Sequence, residues 1–222
     1  DLRIDYTPYN GGLISVSWFY KHIEDPIEYV QDLVNAFSFT TPLNFPKGKL
    51  SGFEFETRQQ LGYFWDPMKC ISIGGNATFI DSEVTLPESE RENLANAGVE
   101  TTTRDMLGAP EYLYNIYLTY DYERLDSQIG LFYTVKGDTL AVGAGNRNGH
   151  YVPDVYATEF GTLNLSVSKK LGKHFNLAFM AKNLLNPKIE EVYRTPDFLG
   201  DEEVRTSYTK GIDFTFSISG VW

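Results

Sequence analysis

The stretch EYLYNIYLTYDYE, residues 111–123, decides how the rest of the chain is read. Tyr112, Tyr114, Ile116, Leu118, Tyr120 and Tyr122 fall on one parity, and Asn115, Thr119, Asp121 and Glu123 fall on the other. A period of two places one set on each face of a β-strand. Ten steps of about 3.3 Å, tilted by roughly 40°, rise about 25 Å, the height of the apolar band of a transmembrane barrel. Tyrosines at both ends, with aliphatic residues between, suit a strand whose ends meet two membrane interfaces. A soluble sheet could carry the same row as a binding platform, but the polar opposite face is suited to a wet lumen.

The pattern repeats along the chain. Ile14, Val16, Trp18 and Tyr20 oppose Ser15 and Ser17. Phe53, Phe55, Leu61 and Tyr63 oppose Glu54, Glu56, Arg58 and Gln60. Ile71, Ile73, Ala77 and Phe79 share a face, as do Ile129, Leu131, Tyr133 and Val135. Leu163, Leu165, Val167 and Leu171 follow. FNLAFMAKNLLN is less regular, because Met180 and Leu184 sit on its otherwise polar parity. With the opening segment and KGIDFTFSISGVW (210–222), the pattern predicts about nine strands.

The connections alternate in length. PYNGG, FWDPMK, ERLDS and LGKH are short; the stretches after Ile23, from Val84 to Leu107, from Thr139 to Val155 and from Pro187 to Ser207 are long. A soluble meander gives no reason for such alternation, whereas an up-and-down barrel has tight turns at one rim and long loops at the other. The predicted fold is therefore all-β: an antiparallel up-and-down transmembrane barrel.

Composition agrees. The 222 residues are 42% hydrophobic and 15% aromatic, with 15 Tyr and 15 Phe. The mean hydropathy of -0.29 resembles that of soluble proteins, as alternating strands require. A formal charge of -11 argues against nucleic acid as a partner. One cysteine, Cys70, excludes an intrachain disulfide framework and reads as a small strand residue. The chain opens DLRIDYTP with no secretory signal, which suits a mature start or a cut through a longer protein.

TLNLSVSKKLGKHFNLAFMAKNLLNPKIEEVY followed by SYTKGIDFTFSISGVW resembles the carboxy-terminal strands of TonB-dependent outer-membrane receptors. GGLISVSWFYKHIEDPIEY, KGKLSGFEFETRQQL and GAPEYLYNIYLTYDYE resemble earlier consecutive strands of the same barrel. Each motif is loose; their order makes the likeness specific. It implies a 22-stranded barrel of which this chain holds about the last nine strands. Nine is odd and no plug sequence is present, so a fragment of a longer receptor is expected, with residues 1–222 wholly barrel. The likeness also implies an outer-membrane location, short turns in the periplasm and long loops outside. Implied partners are the TonB complex (through the missing plug region), outer-membrane lipid, the barrel-assembly machinery and a small solute. A ferric siderophore, cobalamin or a glycan would be bound outside and imported with TonB-transmitted energy. Phe214, Phe216 and Trp222 would form the terminal assembly signal, although family members usually end in Phe.

No catalytic constellation, metal-ligand spacing or cofactor motif is present, which suits a transporter rather than an enzyme. His22, His150 and His174 lie apart, and GAGNRNGH (143–150) reads as a flexible loop, not a phosphate cradle. The acidic stretch with Glu83, Glu88, Glu90, Glu92, Glu100 and Asp105 fits no calcium loop and reads as solvated surface. Glu54, Glu56, Arg58 and Gln60 are expected to face the lumen, and Tyr112, Tyr114, Tyr120 and Tyr122 to form membrane girdles. Candidate ligand contacts are the loop groups Arg147, His150, Tyr151 and Tyr193, Arg194, Arg205, which combine cations with aromatics. Two other readings remain open: a complete small outer-membrane barrel (pore or enzyme), and a soluble carbohydrate-binding β-sandwich.

Overall fold

The computed structural model of the chain describes residues 1–34, 37–96, 98–147, 150–194 and 202–220. Its elements begin with β1 (Leu2–Tyr6), β2 (Leu13–Glu24), β3 (Ile27–Val34), β4 (Phe37–Asn44), β5 (Lys47–Gln60) and β6 (Ile71–Thr85). A helix, α1 (Glu88–Asn96), and a short strand, β7 (Thr103–Arg104), follow. Next come β8 (Tyr112–Tyr122), β9 (Ser127–Lys136), β10 (Thr139–Arg147), β11 (His150–Val152) and β12 (Asp154–Ala157). The chain ends with β13 (Phe160–Leu171), β14 (Phe175–Lys182), β15 (Ile189–Arg194), β16 (Glu203–Tyr208) and β17 (Asp213–Gly220).

A curved wall forms from β1-β2-β5-β6-β8-β9-β13-β14-β17 in that order, each strand antiparallel to its neighbours. These are the nine strands expected from the alternation, and the sheet they form is open at both edges. Register carries the two faces from strand to strand. One cross-strand row reads Ile73, Leu118, Leu131, Leu165, Ala181 and Phe214. The row beside it reads Ser72, Thr119, Gly130, Ser166, Met180 and Thr215. Most of the apolar face is bare of protein: Leu118 is 42% exposed and Phe214 66%, whereas Ala181 and Val135 are buried. Lipid is the medium that suits such a surface.

Three sequence expectations are corrected. Met180 does lie on the polar face, in register with Ser166 and Thr215, whereas Leu184 belongs to the chain after β14. That face is not wholly polar. Tyr117 and Phe132 lie on it with ring centroids 6.4 Å apart. A Cβ on Gly130 would sit 2.7 Å from Cε2 of Phe132, so the ring covers backbone that lacks a side chain. β5 also stops at Gln60, and Leu61–Tyr63 forms a 3-10 turn rather than more strand.

The short connections are tight turns. Gly172, in the turn after β13, adopts φ +63, and a Cβ there would meet nothing within 4 Å, so backbone conformation rather than space selects glycine. The long connections, expected to be irregular, are instead folded into a second sheet, β16-β15-β12-β10-β3-β4, with β11 on β10. Residues 143–147 and His150 of GAGNRNGH are part of it: β10 and β11 pair antiparallel, and β10 runs parallel to β3. Pairing across strands far apart in sequence leaves no periodic signal in either loop.

The two faces differ in what they tolerate. Leu118→Arg on the apolar face is expected to cost about 2–4 kcal/mol, and Thr119→Arg beside it under about 0.5 kcal/mol. Urea unfolding of the full receptor in lipid vesicles measures both.

Candidate functional site

The folded connections make a cap at one rim, and it grows from the inner face of the wall. Ile23, Gly48, Val84 and Arg104 form one cross-strand row of that face. Gly48 leaves room for Met106, whose Cε would lie 2.9 Å from a Cβ there. Val30, Phe45, Val84, Leu86, Leu94, Val99 and Met106 close over the row as a buried core. Leu94 comes from α1, where Glu88 and Glu90 occupy the first turn and complement the positive end of the helix dipole.

Arg104 lies inside this core, its side chain 4% exposed, with the guanidinium 4.9 Å from the centre of the Phe45 ring. Its Nη1 donates to Glu90 and, at 3.4 Å, to Oδ1 of Asp154. The same Asp154 oxygen accepts from the Ala144 amide at 2.6 Å. Glu28 accepts from the Leu107 amide with both oxygens, at 3.1 and 3.3 Å. Gly143 is glycine for a reason of space: a Cβ there would collide with the Arg104 guanidinium. Burial pushes the Glu90 carboxyl up to about 7, against the pull of Arg104. Burial also raises Asp154 and Glu28 above their ordinary range, with Arg104 again opposing.

Beside the knot, Tyr156 donates to Asp105 at 2.9 Å and is covered by Arg194, 4.5 Å from the ring centre. Arg194 also donates to Asp138 and Glu202, both at 2.6 Å. A cavity of about 230 Å³ is lined by Thr101, Arg104, Asp105, Asp154, Tyr156 and Arg194. A second of about 230 Å³ lies between β3, β4, α1 and β10, lined by Gln31, Leu43, Glu90, Leu94, Gly145 and Tyr151.

The sequence-predicted residues are distributed as follows. Tyr151 packs against the cap core with its hydroxyl buried and unpaired, and Arg194 is paired through Nη2 with Asp138 and through Nε with Glu202. Tyr193 is half-buried in β15, opposite Val155 and Glu203. Arg205 pairs with Glu191 at 3.2 Å on β16, whose residues are all exposed. Arg147 and His150 face each other in the β10–β11 pairing, and only their backbones are described. The acidic stretch is not simply solvated surface, because Glu90 and Asp105 belong to the buried network. Among the described residues no group of three or more His, Cys, Asp or Glu could hold a metal ion.

On the wall, Glu54, Glu56, Arg58 and Gln60 share the polar face. Glu56 binds Arg3 at 2.9 Å, Glu54 accepts from Ser17 at 3.1 Å, and Gln60 donates to the Lys69 carbonyl at 3.2 Å. Further along the same face Asn115 links Asn76 and Thr134, at 2.9 and 2.7 Å. Tyr112 stacks on Tyr114 and Tyr120 on Tyr122, each pair 5.9 Å apart, at opposite ends of β8. Sequence reading missed a further aromatic group in the turns: Tyr9 stacks on Tyr63 at 3.9 Å, and Phe64 abuts both edge-on. Phe214 and Phe216 lie on the exposed face of β17, and Trp222 lies outside the described residues.

An open antiparallel wall with a bare apolar face, a polar inner face and one capped rim invites comparison with outer-membrane barrels. Residues 1–184 match the family described as "TonB dependent receptor-like, beta-barrel". The chain belongs to this family. TonB-dependent receptors are transporters and receptors rather than enzymes, and their place is the outer membrane of Gram-negative bacteria. No curated protein matches the sequence. Among solved structures, a mutant of the ferric enterobactin receptor PfeA from Pseudomonas aeruginosa, in complex with enterobactin, aligns with a TM-score of 0.60 and 15% identity. That alignment covers 98% of this chain and 30% of the receptor. The copper transporter OprC gives 0.60 at 14% identity, over 99% of this chain and 30% of the transporter. The ferric-catecholate import receptor Fiu from E. coli K12 gives 0.53 at 12% identity, over 84% of this chain and 23% of the receptor. The chain thus spans about 30% of the length of the first of these receptors.

Removing the central cation of the cap leaves buried carboxylates without compensation. Arg104→Ala is expected to destabilise the cap by about 3–5 kcal/mol, and Gly143→Ala, which displaces the guanidinium, by about 1–3 kcal/mol. Faster trypsin cleavage within residues 85–107 and 139–157, with strand content unchanged by circular dichroism, is the expected readout.

Proposed function

We propose that this chain is the carboxy-terminal part of the barrel of an outer-membrane active-transport receptor, with the plug in another part of the protein. The observation that carries this reading is the family match over residues 1–184, joined to a nine-strand wall that spans about 30% of its structural neighbours. In this reading the short turns are periplasmic and the cap is extracellular. The receptor binds a scarce solute at the capped rim and imports it when the TonB complex acts on the plug. Wall and cap contribute recognition and a closed path, with no bond chemistry.

The solute class favoured here is a metal-bearing small molecule, by analogy with the enterobactin, ferric-catecholate and copper proteins of similar fold. A ferric siderophore is the first reading. A copper complex is the second, favoured by the excess of carboxyl groups (Glu28, Glu90, Asp105, Asp138, Asp154) over Arg104 and Arg194 in the cap. Arg147, His150, Tyr193 and Arg205 are the proposed solute contacts, since Arg194 and Tyr151 are committed to the cap. The inner row Glu54, Glu56, Arg58 and Gln60 would line the lumen. The tyrosine pairs of β8 would sit at the two interfaces, joined on the periplasmic side by Tyr9, Tyr63 and Phe64. Phe214, Phe216 and Trp222 would present the closing strand to the assembly machinery.

Replacing residues 27–44 of the full receptor by a short linker is expected to weaken solute binding at least tenfold, about 1.4 kcal/mol, while the barrel still assembles. Titration calorimetry with ferric enterobactin, a copper salt, cobalamin and an oligosaccharide identifies the solute and measures the loss. Affinity unchanged for whichever solute binds would sink the role given to the cap.

A further inference from the structure

Counting charge inside the cap leads beyond solute binding. The side chains of Arg104, Glu90 and Asp154 are 4%, 13% and 6% exposed. Glu28 is 1% exposed. Among the described side chains, two carboxyl groups, Glu90 and Asp154, contact the one buried guanidinium, and a third, Glu28, lies within its field; they come from three different connections. Glu28 is on β3, between β2 and β5; Glu90 and Arg104 lie between β6 and β8; Asp154 is on β12, between β9 and β13. Among the described side chains, the other titratable groups packed around them are Asp105 after β7, Tyr151 on β11, Tyr156 on β12 and Arg194 on β15. Arg194 is held by Asp138 and Glu202 and so does not neutralise the trio, and Asp105, which accepts from Tyr156, adds a further acidic group beside it. Nε and Nη2 of Arg104 make no hydrogen bond.

Three ionised carboxylates around one cation leave excess negative charge out of water, which is far more costly than protonating one of them. We propose that the cap is a proton-linked latch: while one proton is shared among Glu28, Glu90 and Asp154 around Arg104, the connections close into one body, and its loss frees α1 from the β3–β4 hairpin. Glu90 is the point of exchange, because it is the most exposed of the three and sits on the helix. On deprotonation its proton passes to solvent, and the new carboxylate faces Asp154 and Glu28 across a single guanidinium.

The direction of the pH effect follows from the raised Glu90 carboxyl. The folded cap holds this proton more tightly than the unfolded chain does. Its stabilising contribution is therefore complete below the ordinary value of 4.5 and is lost as pH rises through about 7. The cap is tight in mildly acidic surroundings and loosens in alkaline ones, whatever solute it takes.

The test uses the full receptor in detergent, with native thiols replaced and nitroxide labels at Thr40→Cys on β4 and Glu92→Cys on α1, both exposed positions. Double electron–electron resonance at about pH 6 and about pH 8.5, either side of the Glu90 transition, reads the separation of hairpin and helix. The expected result is one narrow distance at the lower pH and a broader or longer distribution at the higher. Glu90→Gln, which fixes the uncharged form, should keep the narrow distance at both. A wild-type distribution that does not change with pH overturns the proposal. So does a Glu90→Gln protein that still loosens as the wild type does. Asp154→Asn, whose amide oxygen can still accept from Ala144, provides a second uncharged variant. If Glu90→Gln does not assemble, Asp154→Asn must abolish the pH response, and its retention would count against the latch.

Discussion

A backbone that crosses hydrocarbon has no water to satisfy its N–H and C=O groups, so every wall strand must pair along its whole length. That constraint fixes the register, and register in turn fixes which side chains meet lipid. A slip of one residue between β8 and β9 would bring Leu118 opposite Gly130 and reverse the faces from that strand onward. The row Ile73–Leu118–Leu131–Leu165–Ala181–Phe214 and the polar row beside it are two consequences of one hydrogen-bond lattice. Another polar row of the same face, Asn76, Asn115 and Thr134, is cross-linked by side-chain bonds, which reinforces the same register from inside.

The cap is released from that constraint and is built by different rules. Its strands are short and mix antiparallel pairs with the parallel pair β10–β3. It is too small to bury a large apolar core, and part of its cohesion comes from polar contacts between connections. Gln31 reaches the Pro153 carbonyl at 2.7 Å, Tyr156 reaches Asp105, and Arg104 reaches Glu90 and Asp154. Such contacts carry geometric specificity, since each needs one partner at one angle, but they contribute less net stability than apolar packing of equal volume. Gly143 and Gly145 serve the same end. A Cβ on the first would strike Arg104 and on the second the Gln31 carbonyl, so both are sites of close approach.

This contrast explains what could be read from the sequence. The wall was legible because each strand signals its own faces through a local period, and Tyr112–Tyr122 does so over its whole length. The turns were legible from Gly, Asn and Asp at short spacing. The cap was not, because its pairings join residues more than a hundred apart, such as Val30 with Gly143, and no local period records them. Glu90 read as one more surface acid, and nothing in the surrounding stretch marks Arg104 as its partner. The available clue was the glycine pair Gly143 and Gly145 in GAGNRNGH, a stretch more easily taken for flexibility than for the end of a strand packed against a guanidinium. Tyr151 and Arg194 were singled out as loop aromatic and cation, and both are brought to the cap, each half-buried in it.

Wall and cap are nevertheless continuous through one row of side chains. Ile23, Gly48 and Val84 belong to strands that run from the opposite rim without interruption, and Arg104 joins them through β7. The cap therefore cannot move as a separate lid on a hinge; it can change only by rearranging what is stacked on that row. The groups with freedom to do so are α1, held to the row by Leu94 and Glu90, and the β3–β4 hairpin, held by Val30 and by Glu28, which accepts from the Leu107 amide. Both attachments pass within the field of the same guanidinium, and both include a carboxyl group. The register of the wall thus sets the position of Arg104, and Arg104 sets the conditions under which the connections can separate.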